Sequence, residues 1–231
     1  MSPISISVQR AALKKTWSLI AVGENSLLEL RAIWPKGIPD PKPAHSVHFT
    51  VKDYESIAAC KAAFEAKALE LNQQGFNVYT VMNPIREDFT GPGAAGDDDI
   101  RYRDLLLIDI DRVGDTSCPA NQTELDAAKV LVLEIGEYLA DRDWPDPILV
   151  MSGNGYHLNY ILEGLPNDLE SASLVRRFLK NLSNRFDNAV VGVDTKVYNA
   201  SRITKVPGTI ARKGIETHDR PYRMAEVCDE I

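Results

Sequence analysis

The chain has 231 residues, 44% of them hydrophobic and 26% charged, and a formal net charge of −7, the composition of an ordinary globular protein and the wrong charge for one that coats nucleic acid by bulk attraction. Its three cysteines, Cys60, Cys118 and Cys228, form no Cys-x-x-Cys pair, which excludes a disulfide framework and a local zinc knuckle and points to a reducing cytoplasm. No basic segment followed by an apolar one opens the chain, and no apolar run approaches the roughly 18 residues of a membrane helix, so neither export nor a membrane partner is expected.

Residues 9–19 predict a helix and 27–34 a strand, which the proline-rich stretch 35–43 interrupts. Residues 45–51 read as a second strand, with Val47, Phe49 and Val51 on one face. Residues 54–74, rich in Ala, Leu, Glu and Lys, predict a helix closed by Gly75, and 76–82 a third strand. Residues 83–100 carry two prolines, three glycines and Asp97-Asp98-Asp99, and read as a long mobile loop. The Gly-Pro-Gly-Ala-Ala-Gly within it lacks the lysine of a phosphate-binding P-loop.

Leu105-Leu106-Leu107-Ile108-Asp109-Ile110-Asp111 is an apolar strand that ends in two carboxylates. Residues 123–141 follow as a helix whose Leu125, Ala128, Val132, Ile135 and Leu139 form one core-facing stripe. After Trp144-Pro145-Asp146-Pro147, residues 148–151 and 156–162 predict strands joined across Ser152-Gly153-Asn154-Gly155. Residues 169–186 predict an amphipathic helix with Val175, Phe178, Leu182 and Phe186 inward, and 190–194 a short strand. No repeat or linker stands out, so one domain is expected, with any lobe boundary near the 83–100 loop.

The chemistry concentrates in three places. Asp109 and Asp111 share one face of their strand, roughly 6.5 Å apart, and such a pair can converge on two divalent ions about 3.5–4 Å apart, as phosphoryl transfer requires. The same Asp-x-Asp also suits a solvated strand exit. Ser152 to His157 combines a hydroxyl, glycines that admit a ligand close to the backbone, and a histidine, although Asn-Gly is also a plain hairpin turn and a lone strand histidine is more often packed than functional. Asp194 ends the last strand as a third carboxylate. Behind it, residues 195–223 hold seven Lys or Arg against two acids, a tract suited to polyphosphate or a template backbone or, alone, to a solvated basic surface. A Ser152, His157, Asp194 hydrolase is disfavoured because the Gly-x-Ser-x-Gly elbow is missing.

Taken in order, Leu-Leu-Leu-Ile-Asp-Ile-Asp, Ser-Gly-Asn-Gly-Tyr-His and Val-Asp-Thr-Lys-Val-Tyr-Asn with Arg202 and Lys205 behind resemble the three motifs of the archaeo-eukaryotic primase superfamily, in the primase-polymerase branch of phages, plasmids and bacteria. Residues 77–84 and 212–223 extend the resemblance over most of the chain. It implies an α+β, two-lobed catalytic core over residues 1–231: an N-terminal lobe to about residue 100, then a metal-binding lobe with an antiparallel sheet like that of RNA-recognition modules, flanked by helices. It implies that Asp109, Asp111 and Asp194 hold two Mg²⁺ or Mn²⁺ ions. Ser152, Gly153, His157, Tyr198, Asn199, Arg202 and Lys205 would bind the incoming nucleotide, and Asn83, Arg86, Arg212, Lys213, Arg220 and Arg223 the template.

The implied activity is a primase or DNA-directed polymerase that uses ribo- or deoxyribonucleoside triphosphates on single-stranded DNA, with a helicase domain or protein as a further partner. The chain departs from many relatives in reading Arg220-Pro221-Tyr222-Arg223 where they have Arg-Pro-His-Arg. It also lacks their zinc-binding cysteines and a helicase P-loop, as expected of the catalytic portion of a longer replication protein. Two other expectations stand beside this one: a two-metal nuclease, and a non-catalytic origin- or single-strand-binding module.

Overall fold

Side-chain capping sets where the helices begin in this computed structural model, which describes residues 4–228. Ser5 accepts a hydrogen bond from Val8 N–H at the start of α1 (Ile6–Lys14), and Ser56 one from Ala59 N–H at α2 (Ile57–Gln73). Asn121 and Glu124 form a reciprocal capping box on α3 (Gln122–Ala140), and Asp168 caps α4 (Leu169–Phe186). The predicted first helix is thus displaced toward the N-terminus by its cap, and a 3-10 turn, Lys15–Ser18, follows it. The second starts later than predicted for the same reason and ends before Gly75, whose φ of 101° suits only glycine.

The strands are β1 (Leu27–Ile33), β2 (His45–Thr50), β3 (Asn77–Val81), β4 (Tyr102–Arg112), β5 (Ile148–Met151), β6 (Tyr156–Pro166), β7 (Val191–Val193), β8 (Ile203–Lys205), β9 (Ile210–Ala211), β10 (Arg223–Met224) and β11 (Glu226–Val227). They form two antiparallel sheets, β2-β1-β3-β8 and β11-β5-β6-β4-β7, with β9 and β10 as a small ribbon. Within the second sheet the chain order β4-α3-β5-β6-α4-β7 gives the spatial order β7-β4-β6-β5, the split βαβ arrangement of RNA-recognition modules. The expected α+β class is therefore observed. A boundary near residue 100 separates β1–β3 from β4–β7, but the chain then recrosses, and β8 completes the first sheet beside β3.

Period-two alternation divides β4 between two environments. Leu106, Ile108 and Ile110 join the core with Leu125, Ala128, Leu131, Val132, Ile135 and Leu139 of α3. The alternate positions, Leu107, Asp109 and Asp111, face the first sheet across a cleft. On the first sheet, Leu28, Leu30 and Ala32 pack with Phe64, Ala68 and Leu71 of α2, which leaves Ile33 and the residues beyond it to line the same cleft.

The 83–100 segment is not the mobile loop expected from its glycines. Ala95 N–H donates to the buried Glu29 carboxylate at 2.8 Å and Ala95 O accepts from Arg31 at 3.1 Å. Asn167 donates to the carbonyls of Asp97 and Ile100, and Asp97 accepts from Ser201 N–H and Oγ. Satisfying the backbone this way holds the segment against the first sheet with little regular structure beyond a 3-10 turn at Asp97–Asp99.

Glu124 is the hub on the other side. Its carboxylate accepts from Arg112 at 2.6 Å and from both Nη atoms of Arg220 at 2.7 and 2.9 Å. The Arg220 hydrogen bonds, with Asn121 N–H and Arg112, overcome burial and hold the carboxyl down at about 2. A depressed carboxylate stabilises the fold fully above its unfolded value and loses that contribution as pH falls through the folded one. Glu124→Gln should therefore lower stability in urea by about 1–2 kcal/mol at neutral pH, with the gap to the parent chain closing as pH falls from 4.5 toward about 2.

Candidate active site

One wall of the cleft is the second sheet. Asp109 on β4 lies opposite His157 on β6, and His157 Nε2 is 3.4 Å from Asp109 Oδ1 while its Nδ1 is 3.5 Å from Thr204 Oγ1 on β8. One imidazole thus spans both sheets. The turn between β5 and β6 folds back over the aspartates, with Ser152 N–H and Oγ both donating to Gly155 O. A Cβ at Gly155 would collide with Ile110 O and the Asp111 carboxylate, and one at Gly153, where φ is 102°, with Ala211 Cβ. Both glycines thus make room for the protein's own atoms, where the sequence had suggested room for a ligand.

The other wall comprises Ile33, Trp34, Asn77, Tyr79, Ile203 and Lys205 of the first sheet and its margin, and the segment Ala211, Arg212, Lys213 bridges the two. That segment is held by two amides. Asn72 accepts from Ile210 N–H and donates to Ile210 O, and Asn77 does the same for Arg212. Each amide thus substitutes for a neighbouring strand. Between the walls lies a cleft of about 410 Å³.

Burial and the charge of Asp109 push the Asp111 carboxyl up to about 6, against the opposing pull of Lys213, His157 and Arg112. Burial would raise Asp109 as well, but His157, Arg202 and Lys213 outweigh it and hold Asp109 below its ordinary value. Burial and the two aspartates raise the Tyr79 hydroxyl to about 12. Lys205, only 3% exposed, donates to Asn77 Oδ1 and Ile210 O, and burial beside Arg212 lowers its ammonium well below the ordinary value.

Paired hard oxygens under mutual repulsion fit a Mg²⁺ or Mn²⁺ ion, which would relieve that repulsion. Asp194 adjoins them, its N–H donating to Asp109 O at 2.8 Å. Its carboxylate is otherwise engaged, accepting from Lys196 N–H and lying 3.7 Å from Arg202. Accordingly, no three His, Cys, Asp or Glu side chains form a metal cluster among the described residues.

Of the residues expected to bind nucleotide, Ser152, His157, Arg202 and Lys205 line the cleft, whereas Gly153, Tyr198 and Asn199 do not. Tyr198 packs under Arg176 and its carbonyl accepts from Arg103, while Asn199 donates to Asp97 and Ser201. Of the expected template residues, Arg212 and Lys213 line the cleft and four others do not. Asn83 is buried, joining Ala200 O to the N–H groups of Asp104 and Leu105. Arg86 pairs with Asp88 at the surface, Arg220 with Glu124, and Arg223 donates to Ala120 O. A basic residue in sequence carries no mark of whether a carboxylate or carbonyl has already claimed it. Trp34, Lys36, Asn77, Tyr79 and Asn154 line the cleft without having been singled out; only their place on or beside predicted strands and turns hinted at them.

No protein-family profile and no curated protein matches the chain. Solved structures do. The AEP domain of the cyanophage S-2L primase-polymerase aligns with a TM-score of 0.57 at 19% identity, over 96% of this chain and 90% of that one. The fold is that of the primase-polymerases. The polymerase domain of Mycobacterium tuberculosis Ligase D, solved in complex with DNA, is similar at a TM-score of 0.54 and 16% identity, over 94% of this chain and 79% of that one. Primase RepB′ is similar at 0.51 and 12%, over 96% of this chain and 56% of that one. The primase-polymerase fold of this chain thus carries its Asp109–Asp111 pair on β4, an interior strand of the second sheet, facing the first.

Two substitutions test this geometry. Gly155→Ala should cost about 1–3 kcal/mol in urea unfolding, because the added methyl must displace the β5–β6 turn from β4. For Asp111 the raised value means that folding favours the protonated acid, a contribution complete below 3.8 and lost as pH rises through about 6. Asp111→Asn should therefore be more stable than the parent to urea at neutral pH in chelator, by up to about 3 kcal/mol, with the difference vanishing near pH 4.

Proposed function

We propose that this cleft catalyses template-dependent nucleotidyl transfer, making or extending primers on single-stranded DNA. The observation that carries this reading is the arrangement of charge: two half-buried carboxylates two residues apart on one wall, with Arg202 and Lys213 lining the same cleft and both acting on Asp109. Acid and base placed so suit a metal-chelated triphosphate, which bears both kinds of partner at once. The likeness to structures named as a primase-polymerase, a primase and a DNA-bound polymerase domain supports the same reading.

In the reaction, the 3′-oxygen of a primer or first nucleotide forms a bond to the α-phosphorus of the incoming triphosphate, and the bond to the β-phosphate oxygen breaks to release pyrophosphate. Asp109 and Asp111, with Asp194 beside them, would hold two Mg²⁺ or Mn²⁺ ions, which when bound lower the pKa of the attacking hydroxyl and offset charge on the triphosphate. His157 fixes the Asp109 carboxylate by its hydrogen bond and ties it to β8 through Thr204. Arg202 and Lys213 neutralise the triphosphate, and Ser152 presents a hydroxyl at the cleft margin. Lys205 supports the site from beneath, through Asn77 and the Ile210 carbonyl. A two-metal nuclease would share the carboxylates but has no use for cations placed to meet a triphosphate.

The test is incorporation of labelled nucleotides on single-stranded DNA with Mn²⁺ or Mg²⁺, with and without an annealed primer. Template-dependent products are expected, falling at least about 100-fold in Asp109→Ala. Undiminished products in that variant, or shortened DNA with no incorporation, would overturn the assignment. Arg202→Gln should raise the KM for nucleotide more than the Kd for template; the reverse order would remove Arg202 from the triphosphate site.

A further inference from the structure

A hollow of about 490 Å³ lies on the helix-bearing face of the second sheet, away from the cleft. Both are reached by β4: Leu107 lines the cleft, and Leu106, one residue earlier, lines the hollow from the opposite face. Leu162 and Leu165 of β6, Leu174 and Phe178 of α4, and Trp144 give it an apolar lining. Trp144 stacks on Phe178 at 4.9 Å between centroids and meets Tyr160 edge-on at 5.1 Å, which fixes the floor. Leu174 is 49% exposed beside that floor, so the chain does not cover this apolar surface itself.

The strand beside the hollow has an open edge. β5 begins at Ile148, opposite Asn159, whereas β6 runs on to Pro166. From Ile161 onward β6 therefore has β4 on one side and, among the described residues, no strand on the other. Leu162, Glu163 and Gly164 stand opposite Asp104 alone, a bulge that Gly164 accommodates at φ 74°. No backbone hydrogen bond reaches residues 161–165 from outside the β4–β6 pairing among the described residues. A helix laid in the hollow leaves that edge unpaired, whereas an extended segment pairs with it. The charge points to the composition of the segment. Glu163 is exposed, is the only charged residue that lines the hollow, and forms no ion pair among the described residues. Asp143 and Asp146, exposed on either side of Trp144, are unpaired in the same way, and no Lys or Arg of α4 lines the hollow.

We propose that the open edge of β6 and the hollow beside it dock an extended segment of a partner protein in which apolar residues alternate with Lys or Arg. The backbone of the segment pairs with the edge from Ile161, its apolar side chains enter the hollow over Trp144 and Phe178, and a basic side chain meets Glu163. A second copy of this chain fits poorly, because pairing so short an edge with itself about a two-fold axis sets the two Glu163 carboxylates side by side. The docked segment lies behind β4, so the cleft stays open and the partner is tethered to the chain without blocking nucleotide or template. The inference is independent of the catalytic reading of the cleft.

The test is selection of a random peptide library displayed on phage against the parent chain, with Leu174→Asp as the counter-target, followed by fluorescence anisotropy of the enriched peptides made synthetically. Leu174 and Glu163 are both exposed, so neither substitution threatens the fold. The enriched peptides should alternate apolar residues with Lys or Arg and bind Leu174→Asp at least about 10-fold more weakly than the parent. Glu163→Lys should weaken the same peptides about 3- to 10-fold at low salt, with the difference shrinking as salt is added. Methylating the peptide amides that face β6, one alternate set of the two, should abolish binding. Equal binding by both methylated sets would remove the strand pairing and overturn the proposal. Peptides with the 3-and-4 apolar spacing of a helix, acidic peptides, or no enrichment over the counter-target would overturn it too. So would a dimer of the parent chain, seen by sedimentation, that Leu174→Asp dissociates, since the hollow would then hold a second copy.

Discussion

Two half-buried carboxylates two residues apart on one strand repel each other, and the cleft is organised around that repulsion. Asp109 and Asp111 share a face because a strand repeats every two residues, and they are half-buried because that face looks across the cleft to the first sheet. The little water that reaches them leaves much of that repulsion unscreened. His157, Arg202 and Lys213 stabilise Asp109, while Asp111 is left with its carboxyl pushed up to about 6. Retaining such a pair makes physical sense if a cation completes it, since a cation converts the repulsion into binding energy.

The opposite wall depends on how the chain returns. After β7 it leaves the second sheet, crosses through Arg202, pairs β8 with β3 and then runs along the cleft as residues 211–213. Asn72 and Asn77, one from α2 and one from β3, grip that last segment through paired hydrogen bonds to Ile210 and Arg212. The cations thus lie on a ribbon held by amides, whereas the carboxylates sit on a rigid central strand. A rigid acid pair and a separately anchored basic ribbon allow the two chemistries to be positioned independently. The Glu124 network does similar work behind the β5–β6 turn, tying Arg112, Arg220 and the carbonyls of Cys118 and Pro119 together beside Ala120, whose N–H donates to Asn154.

Much of this was legible in the sequence because it rests on local periodicity. The α3 stripe, the 169–186 helix, the apolar run into Asp109 and Asp111, and the Ser152 to His157 turn all carry their pattern within a few residues. The short strands beyond residue 202 were not legible: β8 to β11 hold two or three residues each, too few for any alternation, and exist only through partners far away in sequence. The 83–100 segment misled for the reverse reason. Its glycines and prolines signal a loop correctly, but its order comes from Glu29, Arg31 and Asn167, which no local pattern reveals. The same limit applies to the site. Asp109, Asp111 and His157 could be named from their strands, while Arg220 and Arg223 looked like ligand-binding cations and are consumed by Glu124 and Ala120 O.

The central claim, that the repelling aspartates and the cations facing them form one site for a metal-chelated triphosphate, is tested most directly by a crystal structure of the chain with Mn²⁺ and a non-hydrolysable nucleoside triphosphate, with the metal located by its anomalous scattering. Mn²⁺ should be bound by Asp109 and Asp111, with the triphosphate against Arg202 and Lys213. Metal held elsewhere, or a triphosphate that leaves the cleft between the sheets empty, would contradict it.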